Sequence, residues 1–488
     1  MKYVVALDQG TTSSRAILID SEGNLISIKQ KEFNQIFPKQ GWVEHDPIEI
    51  LETQLEVFNQ LLTENNVNAS DIISLGITNQ RETVLLWDRR TGKPLYNAIV
   101  WQDKRTSDIC QKMKEDGLET YVKKNTGLVI DSYFSGTKIK WIMDNVEGVK
   151  SKIKQNNVLC GTIDSWLIYN LTSFKSHVTD QTNASRTMIY NIKELRWDEK
   201  ILDYLGIPST ILPNVQMSSS NFGTFNFKGI EIPINGVAGD QQSALFGQAC
   251  FEDGMVKNTY GTGCFLLMNT GNDIKLSENG LITTIACSSD NKITYALEGS
   301  VFIAGALVQW LRDQLNIIKD SSEIESLAKT VNSSGGVTFI SALSGLGAPY
   351  WNPNATGAIM GITRGTQKGH IARAALEAIA LRSREIIIEM EKDSGTKFNK
   401  LKVDGGASNN DLLMQIQSNF LKTNVIRPKT TETTALGAAF LSGLSSGFWA
   451  SIDELKNIWK IDQEFNPIPN QNDELVIKNW IKRIEKVQ

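Results

Sequence analysis

Four short stretches bring together residue types that could do chemistry. The first is LDQGTTSSR, residues 7–15, in which a carboxylate ends an apolar run and is followed by glycine, four hydroxyl residues and an arginine. Glycine lets the backbone approach a ligand closely, and successive N–H groups beside Thr11, Thr12 and Ser13 can ring an anionic oxygen. Arg15 adds a permanent charge whose planar fork matches phosphate. Asp8 suits magnesium, which takes one or two carboxylates together with phosphate oxygens. Read alone, the stretch is equally a polar hairpin tip. The second is GDQQSALFG, 239–247. Asp240 could take a proton from a hydroxyl that Gln241 positions, or it could simply cap the helix that follows. The third is TNQRET, 78–83. Arg81 and Glu82 would face opposite ways in a strand, but at a bend both can reach one small polyol; the plainer reading is an exposed charge pair. The fourth is VDGGASNN, 403–410, whose paired glycines let the chain lie against an adenine ring or a phosphate, or merely turn a strand into a helix.

These residues need a framework, and the pattern supplies an α/β one. Strands are expected at 3–8, 14–20, 24–30, 72–78 and 83–88. Helices are expected from Ala304, with Leu307, Trp310, Leu311 and Leu315 on one stripe, and at 369–393, 409–422 and 433–447. The 409–422 helix begins with asparagines suited to an N-cap, and the small-residue segment 433–447 should pack tightly. At 488 residues the chain exceeds one compact core, so two large domains are expected. NTYGTGCFLLMNTG, 258–271, echoes the opening glycine-threonine hairpin half a chain later, which sets the boundary near 248: domains 1–248 and 249–488.

Composition excludes several classes. A net charge of -4 without any basic block argues against nucleic acid or membrane-surface binding. No charge-free apolar run has membrane length, so no membrane insertion is expected. Cys110, Cys160, Cys250, Cys264 and Cys287 are odd in number and scattered, with no C-x-x-C, which fits a reducing compartment; the N-terminus does not read as a signal peptide, and a cytoplasmic protein is expected. G-x-x-x-x-G-K-[ST] and a complete G-x-G-x-x-G are both missing. His45, His177 and His370 are too far apart in sequence to suggest an imidazole cluster.

Taken in order, LDQGTTSSRA, GWVEHDP, GITNQRET, NAIVWQD, NTGLVIDSYFSGTK, GTIDSWL, TNASRTM, GDQQSALFGQ, KNTYGTGCF, LEGS, GLGAPYW, VDGGASNN and TALGAA resemble the FGGY carbohydrate kinases, and within them the glycerol kinases. The resemblance implies two ribonuclease-H-like, actin-like ATPase domains flanking a deep cleft, and ATP-dependent phosphorylation of glycerol with Mg²⁺. A kinase for another polyol or ketose is the alternative, and a non-catalytic nucleotide switch a more distant one. By position the resemblance assigns Thr11, Thr12, Ser13, Arg15, Thr262, Gly305, Gln309, Gly406 and Asn410 to the nucleotide, with Asp8 and Asp240 near the metal. It assigns Arg81, Glu82, Trp101, Tyr133, Asp240, Gln241 and Phe265 to glycerol, and gives Asp240 and Arg15 the catalytic roles. The assembly it implies is a homodimer or homotetramer. Three controls known in relatives are expected to be absent: FGTFNFKGIEIPING offers Lys228 as its sole cation for a sugar bisphosphate, no histidine lies there for phosphorylation, and QEFNPIPNQNDE does not match the segment read by a phosphotransferase-system protein.

Overall fold

A computed structural model describes residues 1–289, 292–352 and 354–487. The first half is built on β1 (Tyr3–Gln9), β2 (Ser13–Ile19) and β3 (Leu25–Glu32), helix α1 (Pro47–Glu64), then β4 (Ile72–Asn79), β5 (Ser219–Phe227) and β6 (Ile230–Gly239). These strands form one sheet in the order β5-β6-β4-β1-β2-β3. Helix α2 (Asp240–Gly247) leads into the second half, which holds β7 (Val256–Tyr260), β8 (Cys264–Asn269), β9 (Ile282–Ala286), β10 (Thr294–Val301), α3 (Gly305–Asp313), α4 (Lys368–Ser394), β11 (Lys400–Asp404), α5 (Asp411–Leu421), β12 (Asn424–Pro428), α6 (Thr433–Ser445) and β13 (Ile461–Phe465). Its sheet runs β9-β10-β8-β7-β11-β12-β13.

The two sheets share a core topology. In each, a tight hairpin opens the unit, a third strand adds antiparallel to it, and two later strands add parallel on the other side. Each hairpin is closed by a glycine N–H, Gly10 to the Ser13 carbonyl at 2.9 Å and, in a turn one residue shorter, Gly261 to the Gly263 carbonyl at 2.9 Å. The sequence echo between the two glycine-threonine turns thus has a counterpart in strand order.

β1 is apolar without alternation because both of its faces are covered. Val5 and Leu7 pack with Ile50, Val57, Phe58 and Leu61 of α1. Val4 and Ala6, pointing the other way as a two-residue period requires, pack with Ala435, Leu436, Ala438 and Ala439 of α6. A helix from late in the chain therefore covers the first sheet. It also lies against α2: a Cβ on Gly437 would sit 1.8 Å from the Ser243 carbonyl, and one on Gly76 would sit 2.2 Å from the Ala438 carbonyl. Leu245 of α2 packs with Leu267 and Ala296 of the second sheet. Helices α2 and α6 are thus the layer between the two sheets, close-packed because glycine and alanine let the backbones approach.

Between β4 and β5 an inserted lobe, joined by the short strand Glu44–His45 from ahead of α1, forms a four-stranded sheet in the order Glu44–His45, Ala98–Ile99, Val84–Asp88 and Val158–Thr162, with its own core around Phe134, Ile139 and Ile142. The expected strands and the helices from 369, 409 and 433 form within two residues of the expected bounds. The helix from Ala304 is shorter than its stripe: it stops at Asp313, Asn316 takes a left-handed φ of 51°, and Leu315 is exposed. Lys228 occupies the β5–β6 turn, where its amine donates to Asn59 at 2.8 Å. Among the described residues no helix is long and apolar enough to cross a membrane.

Replacing Gly437 by alanine should force α6 from α2 and cost at least about 1–3 kcal/mol, the usual price of overpacking. Urea denaturation checks this; an unchanged midpoint would contradict the packing described.

Candidate active site

Strand register decides what meets what. Asp8 pairs with Thr78 and Thr78 with Ala238, while Gln9, Asn79 and Gly239 form the next rung. Three parallel strands therefore end level, and the turn at 10–12, the bend at 80–83 and the start of α2 emerge at one edge. Ligands of open α/β sheets bind beyond such carboxyl ends.

At the bend Arg81 and Glu82 are buried, so the exposed-pair reading fails. Glu82 adopts φ 60°, which turns its side chain toward the same region as its neighbour. Arg81 Nη1 donates to Glu298 at 2.5 Å and to Gln242 at 3.0 Å, and Nη2 donates to the other Glu298 oxygen at 2.9 Å. Arg81 Nε lies 3.2 Å from Asp240 Oδ1 and 3.8 Å from Glu82 Oε1. Glu82 Oε1 in turn accepts from Arg186 Nε at 2.6 Å.

Asp240 is the first residue of α2, with Gly239 at the N-cap. Its Oδ1 accepts from the Gln241 N–H at 2.7 Å, and 32% of its side chain stays open. Enclosure by protein raises its carboxyl above the ordinary range, opposed by Arg81 and Lys257. Gln241 Oε1 accepts from the buried amine of Lys257 at 2.5 Å, and the same amine donates to Thr259 at 2.8 Å and to the Phe265 carbonyl at 3.2 Å. Burial pulls that amine down to about 8.

The inserted lobe supplies two rings. Trp101 Nε1 donates to Thr11 Oγ1 at 3.0 Å, and its ring meets that of Tyr133 edge to face at 5.6 Å. Lys138, itself buried, donates to the Tyr133 carbonyl at 2.6 Å and fixes that loop. Burial, with Glu82 nearby, raises the Tyr133 phenol above its usual range, so the hydroxyl stays protonated.

At the opening turn, burial raises the Asp8 carboxyl to about 6 against the pull of Arg15, with Glu432 and Asp240 adding to the rise. Arg15 is paired with Glu432 at 2.8 Å. Thr12 is exposed, whereas the buried Ser13 hydroxyl accepts from the Gln30 amide at 3.2 Å. Across the second sheet, Thr259 pairs with Asp404, so the Gly261–Gly263 turn and Gly405–Gly406 share an edge. Gly305 N–H donates to the Gly261 carbonyl at 3.0 Å and Ala304 N–H to that of Thr262 at 2.9 Å. Gly405 needs to be glycine, since its φ is 82° and a Cβ would meet the Tyr260 carbonyl at 2.6 Å. Gly406 does not: among the described residues nothing lies within 4 Å of a Cβ there. Asn410 caps α5 through Leu413 N–H at 2.8 Å, as its sequence position suggested, and Gln309 is exposed on α3; neither is hydrogen-bonded to the other nucleotide candidates.

Most of the candidates thus form two groups, which Thr12, Ser13, Gln309 and Asn410 do not join. Asp8, Thr11, Arg15, Arg81, Glu82, Trp101, Tyr133, Asp240, Gln241 and Phe265 are linked through contacts or shared partners, and Thr262, Gly305 and Gly406 line the second sheet's edge. Sequence reasoning missed Arg186, Lys257, Glu298 and Glu432. Arg186, Lys257 and Glu298 carried a signal in the quoted blocks TNASRTM, KNTYGTGCF and LEGS: a charge among small and apolar residues is rarely buried unless paired. Among the described residues no cluster of three or more His, Cys, Asp or Glu could cage a metal. Asp8 and Asp240, the second of which raises the proton affinity of the first, still fit magnesium, which binds through one or two carboxylates, waters and phosphate oxygens.

Family models for the N-terminal and C-terminal domains of the FGGY family of carbohydrate kinases match residues 3–247 and 256–446. The chain belongs to this family. It is 57% identical to the glycerol kinase of Fusobacterium nucleatum, covering 100% of this chain and 99% of that one, and 56% identical to that of Alkaliphilus metalliredigens, covering 99% and 98%. A solved Plasmodium falciparum glycerol kinase with ADP superposes with a TM-score of 0.93 at 38% identity, covering 100% of this chain and 98% of that one. A xylulose kinase from Lactobacillus acidophilus shares the fold, with a TM-score of 0.88 at 23% identity over 100% of this chain and 98% of that one.

A carboxyl raised to about 6 makes a signed prediction. Between about pH 4 and 6 folded Asp8 keeps a proton that the unfolded chain releases, so its contribution to stability falls as pH rises through that window. Without magnesium, Asp8→Asn should gain roughly 1–3 kcal/mol on the wild type between pH 4 and pH 8. An equal difference in urea stability at both pH values would contradict this.

Proposed function

We propose that this kinase transfers the γ-phosphoryl group of ATP to a primary hydroxyl of glycerol, giving sn-glycerol 3-phosphate. One observation carries the reading: Asp240, Arg81 and Glu82 converge where three parallel strands end, with Arg81 Nε 3.2 Å from Asp240 Oδ1. The likeness to curated glycerol kinases over essentially the whole chain supports the same substrate.

Glycerol has three hydroxyls and little apolar surface, so recognition must come from hydrogen bonds. Arg81 keeps its Nε–H and one Nη2–H outside its hydrogen bonds to protein, and Glu82 keeps its Oε2. These can donate to and accept from adjacent hydroxyls. Trp101, Tyr133 and Phe265 border the carbon edge and limit the length of the acceptor. Asp240 Oδ1 is held by the Gln241 N–H and faces Arg81, which leaves Oδ2 for the reacting hydroxyl. As the glycerol oxygen bonds to the γ-phosphorus, the bond to the β–γ bridging oxygen breaks, ADP departs, and Asp240 receives the hydroxyl proton. Its raised proton affinity suits a base that accepts late.

Thr11, Thr12 and the turn's backbone N–H groups would hold the transferring phosphate, and Arg15 would swing from Glu432 to counter its charge. Magnesium, held by Asp8 and Asp240 with phosphate oxygens, would neutralise phosphate charge when bound. Thr262, Gly305, Gln309, Gly406 and Asn410 would receive the rest of the nucleotide, with the open space beside Gly406 admitting a flat ring. Five free, buried cysteines fit a cytoplasmic setting.

ADP release measured over glycerol, other polyols and ketoses tests the substrate; a higher kcat/KM for any pentulose would overturn it. Asp240→Asn should lower kcat by at least roughly 10²–10⁴-fold. Gly406→Ala should raise the KM for ATP several-fold while leaving thermal stability unchanged. Nucleotide KM equal to wild type would remove that glycine from the site.

A further inference from the structure

Arg186 belongs to none of the roles above. It is fully buried, and among the described residues only its Nε has a hydrogen bond, to Glu82 at 2.6 Å. Nη1 and Nη2 are both buried without a hydrogen-bond partner among the described residues, and Nη2 lies 3.2 Å from Glu298 Oε1. Its guanidinium carbon sits 5.6 Å from the centre of the Tyr133 ring and 5.3 Å from that of Phe134. A buried cation with unmet donors is costly, and a native fold keeps one only where the position matters.

Glu298 is its counterpart. It lies on β10 of the second sheet, 0% exposed, yet one carboxylate faces two guanidinium groups from the first half. Burial alone would raise its proton affinity, but Arg186 and Arg81 more than offset that and hold the carboxyl down at about 2. It is therefore ionised throughout the working range, and among the described residues it is the one acceptor that takes both Nη atoms of Arg81.

We propose that Glu298 and Arg186 are positioning residues for the acceptor site: Glu298 fixes the Arg81 fork, and Arg186 fixes Glu82 through Oε1 so that Oε2 faces the acceptor. Because Glu298 rides on the second sheet and both arginines on the first half, the polyol-reading pair is aligned only when the two halves are apposed. Acceptor selectivity is thereby tied to the contact between halves. This deepens the reading of the site as a polyol phosphorylation site and rests on it.

The test is discrimination between glycerol and 1,2-propanediol, which lacks one hydroxyl. A site built to pair each hydroxyl rejects the deoxy analogue because its own polar groups go unpaired. In Glu298→Gln the ratio of kcat/KM values, glycerol over propanediol, should fall at least about tenfold, with the KM for ATP within about twofold of wild type. Damage of a merely structural kind would lower both acceptors together and leave the ratio unchanged, and that result would overturn the proposal. If Glu298→Gln yields no folded enzyme, Arg186→Lys carries the same expectation and the same refutation, since it keeps the charge but loses the Nε contact. Wild-type kinetics separate the two levels. If wild type prefers another acceptor, the substrate reading fails, and the ratio is then taken between that acceptor and its own deoxy analogue.

Discussion

A carboxylate on one sheet grips an arginine carried by the other, deep inside the molecule. Arg81 and Glu298 are 217 positions apart, meet in a two-point fork, and are both nearly inaccessible to water. Isolated, either charge would be very expensive to bury; paired, with good geometry and further hydrogen bonds, the cost is recovered. Arg186, Glu82, Asp240 and Lys257 extend the same cluster, so three cationic and three carboxyl side chains share one interior. Such a group tolerates little displacement, because moving one member leaves another buried and unpaired. Its rigidity follows from electrostatics in a dry interior rather than from apolar packing.

What holds those charges in place is a layered arrangement with an unusual middle. Helices α2 and α6, far apart in sequence, pack against each other between the sheets through glycine and alanine. Asp240 opens α2, and Glu432 immediately precedes α6, so the helices that separate the sheets also deliver carboxyl groups to the cleft. Close backbone approach fixes the helix ends, and the helix ends fix the charges. Packing and chemistry are linked through the same few small residues.

The site also shows how stability yields to function. Asp8 is buried beside two other carboxyl groups, a placement that favours the protonated form and opposes the charged one. Lys257 and Lys138 are fully enclosed cations whose amines are drawn below their ordinary range. A fold selected for stability alone would replace these groups with apolar ones of similar volume. Their presence around the Arg81–Asp240 cluster agrees with a place where charge must be met by fixed partners.

The sequence by itself determined five strands of the first half, the bounds of three later helices and the family, because local periodicity and turn chemistry are local properties. It placed Asp8, Asp240 and the Arg81–Glu82 bend at strand ends, since an apolar run that stops at a charge marks where a buried strand meets solvent or a cleft. It also placed Asn410 as a helix cap. Only the tertiary structure decided that Arg81 and Glu82 are enclosed rather than exposed, since burial depends on what packs over a bend and not on the bend's own residues. Only it paired Glu298 with Arg81 and Arg186, and Lys257 with Gln241, because a charge's partner is chosen by how separate elements pack and not by the residues beside it in the chain. Leu315 belonged to an apolar stripe yet lies exposed, since Asn316 turns left-handed and ends the helix first. Period and punctuation are written along the chain; the burial of a charge is a property of the space the whole chain encloses.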